Sequence, residues 1–292
     1  MTRESSVLRP PFPDRPGQWT RWGRLYGSST GLALAAAAER HDGPLLAVAP
    51  DTLSATRLEQ EVRFFLGEET GLPVLSVPDW ETLPYDVFSP HHDIVSDRLA
   101  ALYRLPTLER GVLILPLPTL MQRLPPRAFL EAHALMLDVG DRLDLDAMRT
   151  RLEASGYRYV SEVLEHGDFA VRGSLLDLYP MGSRLPYRIE LFDEEVESLR
   201  TFDPETQRSL DKVDQVRLLP AREFPLDEEG VRHFRQAFRM AFEGDPQRCP
   251  VYRDVSQGLP PPGIEYYLPL FFEETAALFD YLPDSALLAT PE

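Results

Sequence analysis

Two residue types are nearly missing from this chain of 292 residues: it has one cysteine, Cys249, and one lysine, Lys212. A single cysteine excludes an internal disulfide bond and any zinc site built from several thiolates. A single lysine leaves only Lys212 for chemistry that needs a side-chain amine. Lysine and arginine together number 30, so the remaining 29 are arginines, a bias that a GC-rich genome would also produce.

Long apolar runs are missing as well. No stretch approaches the roughly 18 apolar residues that cross a bilayer, and the N-terminus lacks the apolar core of a signal peptide. We therefore expect a cytoplasmic protein without membrane contact. The net charge of −17 excludes a nucleic-acid-binding surface over the whole protein, because phosphate contacts need basic patches, but it leaves room for a local one.

What is present is the composition of a globular protein, with 43% hydrophobic and 26% charged residues. Continuous apolar runs at Leu45–Ala49, Val74–Val77 and Val112–Leu115 are typical of strands buried on both faces. Helical patterns at Leu32–Arg40 and around Leu58–Phe65 separate them. This alternation predicts βαβ units and a parallel sheet.

The pattern changes near residue 125. A helix is predicted over Asp144–Ala154, and alternating apolar and polar residues then predict an antiparallel, β-rich insert of about 90 residues. After Pro220 a helix carries Phe234, Phe238 and Phe242 at one-turn spacing, and the last strand-like residues suggest a return to α/β packing in a truncated segment. The predicted segments are 1–125, 126–219 and 220–292.

A glycine-rich segment before the first helix is a candidate phosphate-binding loop. It consists of Gly27, Ser28, Ser29, Thr30 and Gly31. Backbone amides at such a helix start can bind anions, but a working P-loop also needs a lysine after the second glycine. Leu32 stands there, and Lys212 is far away in the chain. The segment is therefore either a degenerate P-loop or an ordinary helix start, and both interpretations predict that the chain does not hydrolyse nucleotides.

His91, His92 and Asp93 form a second candidate, a metal site in a hydrolase. Adjacent histidines point in different directions in a helix or strand, so a shared metal would require a loop geometry. Helix-capping residues in a polar loop explain the same residues.

Two further features allow a functional and a structural interpretation. Trp80, Tyr85 and Phe88 lie among prolines in a loop that follows a predicted parallel strand, where it would either bind a ligand or pack its aromatic rings on the core.

In the insert, alternation places Ala170 and Arg172 opposite Phe169 and Val171, and the same reasoning exposes Arg158. These arginines form either a recognition surface or two solvated strand positions.

Many short motifs resemble those of the bacterial transcription-repair coupling factors (Mfd), from about residue 25 onward. They include Asp79-Trp-Glu-Thr-Leu-Pro-Tyr-Asp86, Phe88-Ser-Pro-His, Thr119-Leu-Met-Gln-Arg123, Glu165-His-Gly, Arg172-Gly, Leu175-Leu-Asp-Leu, Pro180-Met-Gly-Ser, Glu223-Phe-Pro, Gly263-Ile-Glu-Tyr and Pro269-Leu-Phe-Phe.

The resemblance implies an N-terminal, UvrB-like module: a degenerate helicase-like α/β domain, interrupted by an inserted antiparallel β-rich (α+β) domain. Segments 1–125, 126–219 and 220–292 would correspond to UvrB domains 1a, 2 and 1b. The insert would recruit UvrA for transcription-coupled nucleotide excision repair of DNA damage. The positions matching the family's contact motif are Arg158, Phe169 and Arg172, supported by Asp177 and Tyr179.

The same resemblance implies that catalysis lies elsewhere. In full-length family members, further domains bind RNA polymerase and double-stranded DNA, hydrolyse ATP to translocate, and mask the UvrA-binding face. This segment would be non-catalytic and need no cofactor or metal. The rival hypotheses are an active nucleotide-dependent DNA enzyme and the metal-dependent hydrolase at His91, His92 and Asp93.

Overall fold

The structure, a computed structural model, describes residues 6–84 and 86–290. These residues form two compact units. The first contains the described parts of 1–79, 104–122 and 277–292, and the second contains those of 80–103 and 123–276.

The first unit is built on a four-stranded parallel sheet with strand order β12-β1-β3-β2. In chain order its elements are α1 (Ser29–Ala38), β1 (Pro44–Ala49), α2 (Thr52–Leu66), β2 (Val74–Ser76), β3 (Gly111–Pro116), α4 (Leu117–Met121) and β12 (Leu287–Ala289). Every residue of β1 and β3 is buried, because both faces of such a sheet are covered. The predicted parallel strands are confirmed.

The first helix begins earlier than predicted. α1 starts at Ser29, three residues before the predicted start at Leu32, and ends at Ala38. Gly31 allows a close approach to the neighbouring helix: a Cβ added there would lie 2.6 Å from the Cβ of Glu61 on α2. Small side chains therefore let α1 and α2 pack closely against the sheet.

The second unit is dominated by a six-stranded sheet with strand order β10-β9-β8-β7-β6-β5. Its strands are antiparallel neighbours except for the parallel pair β5 and β6. In chain order the unit contains α3 (His92–Arg104, whose last residue lies in the first unit), α5 (Arg127–His133), β4 (Leu135–Asp138), α6 (Leu145–Ala154), β5 (Arg158–Tyr159), β6 (Asp168–Arg172), β7 (Leu175–Leu178), β8 (Tyr187–Phe192), β9 (Glu195–Phe202), β10 (Ser209–Val213), β11 (Gln215–Leu218), α7 (Glu228–Ala241) and α8 (Pro250–Ser256). β4 and β11 form a separate antiparallel pair.

The phenylalanine spacing correctly predicted α7, with one correction. Phe234 and Phe238 are buried, whereas Phe242 is 46% exposed. α7 ends at Ala241, and the backbone of Phe242 is extended, so Phe242 lies beyond the helix while its ring stays 4.6 Å from that of Phe238. Asp227 caps the other end by accepting from the amide of Gly230.

The two units divide the chain differently from the three predicted segments. Residues 220–276 lie in the same unit as the β-rich insert, and residues from 277 onward rejoin the parallel sheet through β12. The three-segment division stays a prediction about evolutionary modules. Within the described residues, no helix is both long enough and apolar enough to span a bilayer.

A buried ion pair holds three distant parts of the second unit together. Arg98 of α3 is 0% exposed and donates to Glu223, which is 2% exposed, over 2.6 and 3.2 Å. The indole nitrogen of Trp80 donates to the same carboxylate over 3.2 Å. The guanidinium carbon of Arg98 lies 4.8 Å from the centroid of the Trp80 ring. Glu223 is therefore an acceptor shared by two buried donors.

We expect Glu223→Gln to lower the free energy of unfolding by about 3–5 kcal/mol, because it leaves the Arg98 charge buried without a counterion. The matched control is Arg127→Gln, which breaks the exposed Arg127–Glu131 pair at 3.8 Å and should change stability by less than about 1 kcal/mol. Urea unfolding of both variants measures the difference. Equal, small effects would contradict the stabilising role of the buried pair.

Candidate functional site

The six-stranded sheet has an apolar face and a charged face. Cross-strand pairing aligns Ala170, Asp177, Arg188, Arg200 and Lys212 in one row across β6 to β10. Side chains of directly paired residues share a face of the sheet. The row therefore places three cations and one carboxylate on the same side, and we call this side the charged face.

Asp177 organises the centre of the charged face. It is 3% exposed and accepts two hydrogen bonds from Arg188, over 2.8 and 2.9 Å. Arg172 donates to the same carboxylate over 3.2 Å while its side chain remains 51% exposed. The hydrogen bond with Asp177 raises the pKa of Arg188. Arg172 is thus held from behind by a buried carboxylate while half of its side chain faces solvent.

Arg158 lies on the same face, beside Asp168. The pairing of β5 with β6 sets Arg158 opposite Asp168, which has the same parity as Arg172. Arg158 contacts Asp168 at 2.9 Å and Glu165 at 3.0 Å, and its side chain is 47% exposed. Arg172 lies four residue steps along β6 from Asp168, or about 13 Å along the strand. Both predicted arginines are therefore exposed on one face, each anchored by a buried aspartate.

Phe169, which the resemblance places in the contact motif, is buried, and so is its neighbour Ala170. Phe169 is 0% exposed on the opposite, apolar face, so in this structure it supports the strand and offers no surface to a partner. Ala170 has the predicted parity but is also buried, because Val163 and Phe202 cover it. Alternation correctly assigned the two faces of β6. It could not show that a loop covers part of the charged face.

Tyr179 links the sheet to the helix that carries Asp93. Its ring lies 4.0 Å from the His166 ring, centroid to centroid, and its hydroxyl donates to the carbonyl of Arg184 over 2.9 Å. Burial raises the pKa of Tyr179. One ring nitrogen of His166 lies 2.7 Å from Asp93 and the other 2.7 Å from the carbonyl of Ser183. Tyr179 therefore packs on His166, whose ring is fixed by Asp93 and by the carbonyl of Ser183.

Three cations of the charged face were missed by the sequence analysis: Arg188, Arg200 and Lys212. Arg188 directly precedes Ile189, which is buried. Alternation along β8 would therefore have predicted Arg188 on the opposite, charged face. Arg200 and Lys212 become neighbours of Arg188 only through strand register, which the sequence alone does not specify.

The candidate phosphate-binding loop is shaped by an acidic residue of α2. Gly27 has a φ of 55°, and Ser29, Thr30 and Gly31 form the first turn of α1. The hydroxyl of Ser28 donates to Glu61 over 2.9 Å, and Arg57 donates to the same oxygen over 2.9 Å. A carboxylate therefore lies where a phosphate-binding loop would present positive charge.

His91, His92 and Asp93 do not converge on a common point. His91 lies just before α3, and its ring nitrogen accepts from the amide of Asp93 over 3.3 Å, as a capping residue does. Asp93 points to His166 at 2.7 Å. Burial lowers the pKa of His92. Residues 6–84 and 86–290 contain no group of three or more histidine, cysteine or carboxylate residues suited to a metal ion.

In the aromatic loop, one ring packs on the core and another is exposed to solvent, so each of the two interpretations holds for part of the loop. Trp80 packs on the core, whereas Phe88 is 67% exposed; Tyr85 lies outside the described residues. The hydroxyl of Ser89 donates to Glu265 over 3.0 Å and accepts from the amide of Gly263 over 3.1 Å. Burial raises the pKa of Glu265 to about 7, and the nearby charge of Glu223 acts in the same direction.

Comparison with known proteins connects this geometry to a family. A family model described as "UvrB interaction domain" matches residues 135–224, a range that contains β4 to β11 and the whole charged face. The transcription-repair-coupling factor of Escherichia coli (strain K12) is 50% identical over 280 residues, 95% of this chain. That of Haemophilus influenzae is 46% identical over 99% of the chain, and that of Myxococcus xanthus is 36% identical over 92%.

The chain belongs to the transcription-repair-coupling-factor family. It spans about a quarter of the length of these relatives, since the aligned region covers 24%, 25% and 23% of them. The resemblance in sequence motifs is thus confirmed at the level of the family. The mixed α/β fold, with one parallel sheet and a large antiparallel sheet, accords with the UvrB-related match.

The raised pKa of Glu265 predicts a pH-dependent stability. Its pKa rises from 4.5 to about 7 on folding, so the folded protein binds the proton more tightly than the unfolded chain does. Stability contributed by this proton is present below pH 4.5 and is lost as the pH rises towards 7. Glu265→Gln, which carries no charge, should therefore gain stability relative to the wild type between these pH values, by about 2–3 kcal/mol.

Urea unfolding of both proteins from acidic to slightly alkaline pH measures this difference. Glu274→Gln is the matched control, because Glu274 is exposed in the same unit. A difference between Glu265→Gln and wild type that does not change with pH would contradict the prediction.

Proposed function

We propose that this chain is the non-catalytic, UvrB-like module of a transcription-repair coupling factor, and that its charged face recruits UvrA. Recruitment would bring nucleotide excision repair to RNA polymerase stalled at a DNA lesion. The observation that carries the proposal is the coincidence of the "UvrB interaction domain" match with a sheet that exposes Arg158 and Arg172.

The geometry of the two arginines suits protein recognition. Their aspartate partners are almost fully buried, at 5% for Asp168 and 3% for Asp177. An arginine that is already held in place loses less conformational entropy when a partner binds. Its exposed edge can still form bidentate contacts with a carboxylate or stack on an aromatic ring. Arg158 and Arg172 are therefore the contact residues we propose, with Asp177 and Tyr179 as supports.

The module organisation forms part of the same proposal. Residues 1–125 and 220–292 would represent a degenerate helicase-like domain, interrupted by the insert 126–219. RNA polymerase, double-stranded DNA and the ATP-driven motor would engage other parts of the full-length protein, and an intramolecular contact would mask the charged face. The parallel sheet of the first unit supports the helicase-like assignment.

UvrA binding should depend on Arg172. The wild-type chain should bind cognate UvrA, and Arg172→Glu should weaken binding by about 30-fold or more, as expected for a central interface arginine. Arg172→Ala should act in the same direction without placing a new carboxylate beside Asp177. Calorimetry or a biosensor measures the affinities.

Arg142→Glu is the matched control, because Arg142 is 83% exposed and pairs with Glu194 at the β8–β9 turn. It should bind UvrA like the wild type. Binding that is unchanged in folded Arg158→Glu and Arg172→Glu variants would move the interface to another surface. A folded wild-type chain that does not bind would refute the proposed recruitment.

The chain should not hydrolyse ATP with magnesium and DNA present, because the loop at Gly27–Gly31 has no lysine and Glu61 adds negative charge beside it. A coupled phosphate-release assay measures turnover. Activity above buffer that co-purifies with the chain and disappears in a Thr30→Ala variant would support the rival nucleotide-dependent enzyme.

A further inference from the structure

The proposed UvrA recruitment does not use one basic and aromatic segment. Residues 6–28 contain four arginines, Arg9, Arg15, Arg21 and Arg24, and one acidic residue, Asp14. Their net charge of +3, four positive minus one negative, contrasts with −17 for the whole chain. Within this segment Gln18–Tyr26 alternates arginines with aromatic residues, and we call it the Arg/Trp strip.

The aromatic residues of the Arg/Trp strip are held in different ways. The indole nitrogen of Trp22 donates to the carbonyl of Pro11 over 2.9 Å, and its ring packs against the core of the first unit. The hydroxyl of Thr20 donates to the same carbonyl over 3.1 Å. Trp19 and Tyr26 are 81% and 76% exposed. The strip is therefore anchored through Trp22 and presents two large flat rings to solvent.

The strip forms one wall of a cleft of about 690 Å³. The floor is apolar and includes Leu34 and Leu58, and the cleft reaches the carboxyl ends of β1 and β12. Ligands of open α/β sheets bind at this edge of the strands. Arg21 and Arg24 line the cleft together with Trp19, so positive charge and an exposed indole face the same space. Arg57 and Glu61 also line the cleft, but they pair with each other at 2.9 Å.

We infer that the Arg/Trp strip and its cleft bind single-stranded nucleic acid. Bases stack on exposed aromatic rings regardless of sequence, and arginines pair with the phosphates between them. Trp19 in the cleft and Tyr26 at the end of the strip are the stacking residues, and Arg21 and Arg24 lie where the backbone would run.

Three features favour this ligand over others. A duplex would hide its bases from Trp19. An acidic protein segment would use the arginines but leave the exposed rings of Trp19 and Tyr26 without a function. A free nucleoside triphosphate would need the loop at Gly27–Gly31, where the carboxylate of Glu61 lies.

The test is the fluorescence anisotropy of a short, labelled oligothymidylate titrated with the 292-residue chain at about 50 mM salt, where phosphate contacts are strong. We expect binding that weakens with salt and quenches tryptophan fluorescence. Trp19→Ala should weaken it about five- to a hundredfold, as the loss of one stacked base does. Arg24→Glu should weaken it as well and lower the salt dependence by about 0.7 in the logarithmic slope per lost phosphate.

Two matched variants control for surface changes. Phe64→Ala removes a ring that is 79% exposed on α2 of the same unit, and Arg232→Glu reverses an arginine that is 76% exposed in the second unit. Both should bind like the wild type. Trp19 lies in the first unit and the charged face in the second, so UvrA binding should persist in Trp19→Ala, which separates this inference from the proposed recruitment.

Several results would overturn the inference. They are no oligonucleotide binding by the wild type, equal binding by wild type and both strip variants, or a duplex that binds as tightly as the single strand. Displacement by polyglutamate at equal charge concentration would assign the strip to an acidic protein partner instead.

Discussion

Arg98 and Glu223 meet in the interior of the second unit although 125 residues separate them in the chain. Because both are almost fully buried, neither charge can be satisfied by solvent, and each requires the other in place. Trp80 completes the arrangement by donating to the same carboxylate and lying over the guanidinium. The beginning of the aromatic loop, the helix α3 and the chain leaving the β-rich sheet are thereby held at one point.

The charged face uses the same chemistry at a half-exposed position. Buried aspartates hold Arg158 and Arg172 from behind, as Glu223 holds Arg98, but each arginine keeps about half of its side chain in solvent. Partial exposure changes the consequence: a fully buried pair stabilises the fold, whereas a half-exposed arginine remains available to a partner. The proposed UvrA contact depends on this difference.

The first unit is an α/β unit whose glycine-rich segment, Gly27–Gly31, lacks the lysine of a P-loop. The carboxyl ends of its parallel strands open into a cleft, and α1 begins beside it. Glu61 contacts Ser28 at the helix start, and the position of the essential lysine is Leu32. The neighbouring arginines and tryptophans provide a different recognition chemistry, which is the basis for the inferred binding of single strands.

Several features could be predicted from local sequence because they depend on local patterns. Apolar runs identified β1, β2 and β3, and phenylalanine spacing identified α7. The absence of a lysine after the Gly27–Gly31 segment can be recognised from the sequence without a structure. The motifs identified the family, because they are short, numerous and in the same order as in the relatives.

Tertiary structure decided which of these residues meet. Alternation assigned Phe169 and Arg172 to opposite faces, but burial of Ala170 depends on Val163 in the preceding loop and on Phe202, which lies three strands later in β9. The row from Asp177 to Lys212 requires the register of four strands, and Glu61 reaches Ser28 across 33 residues. Periodicity is a property of one segment, whereas burial, ion pairing and charge on a surface depend on packing between segments. The sequence by itself therefore determined the elements and the family, and packing alone decided which side chains are available to a partner.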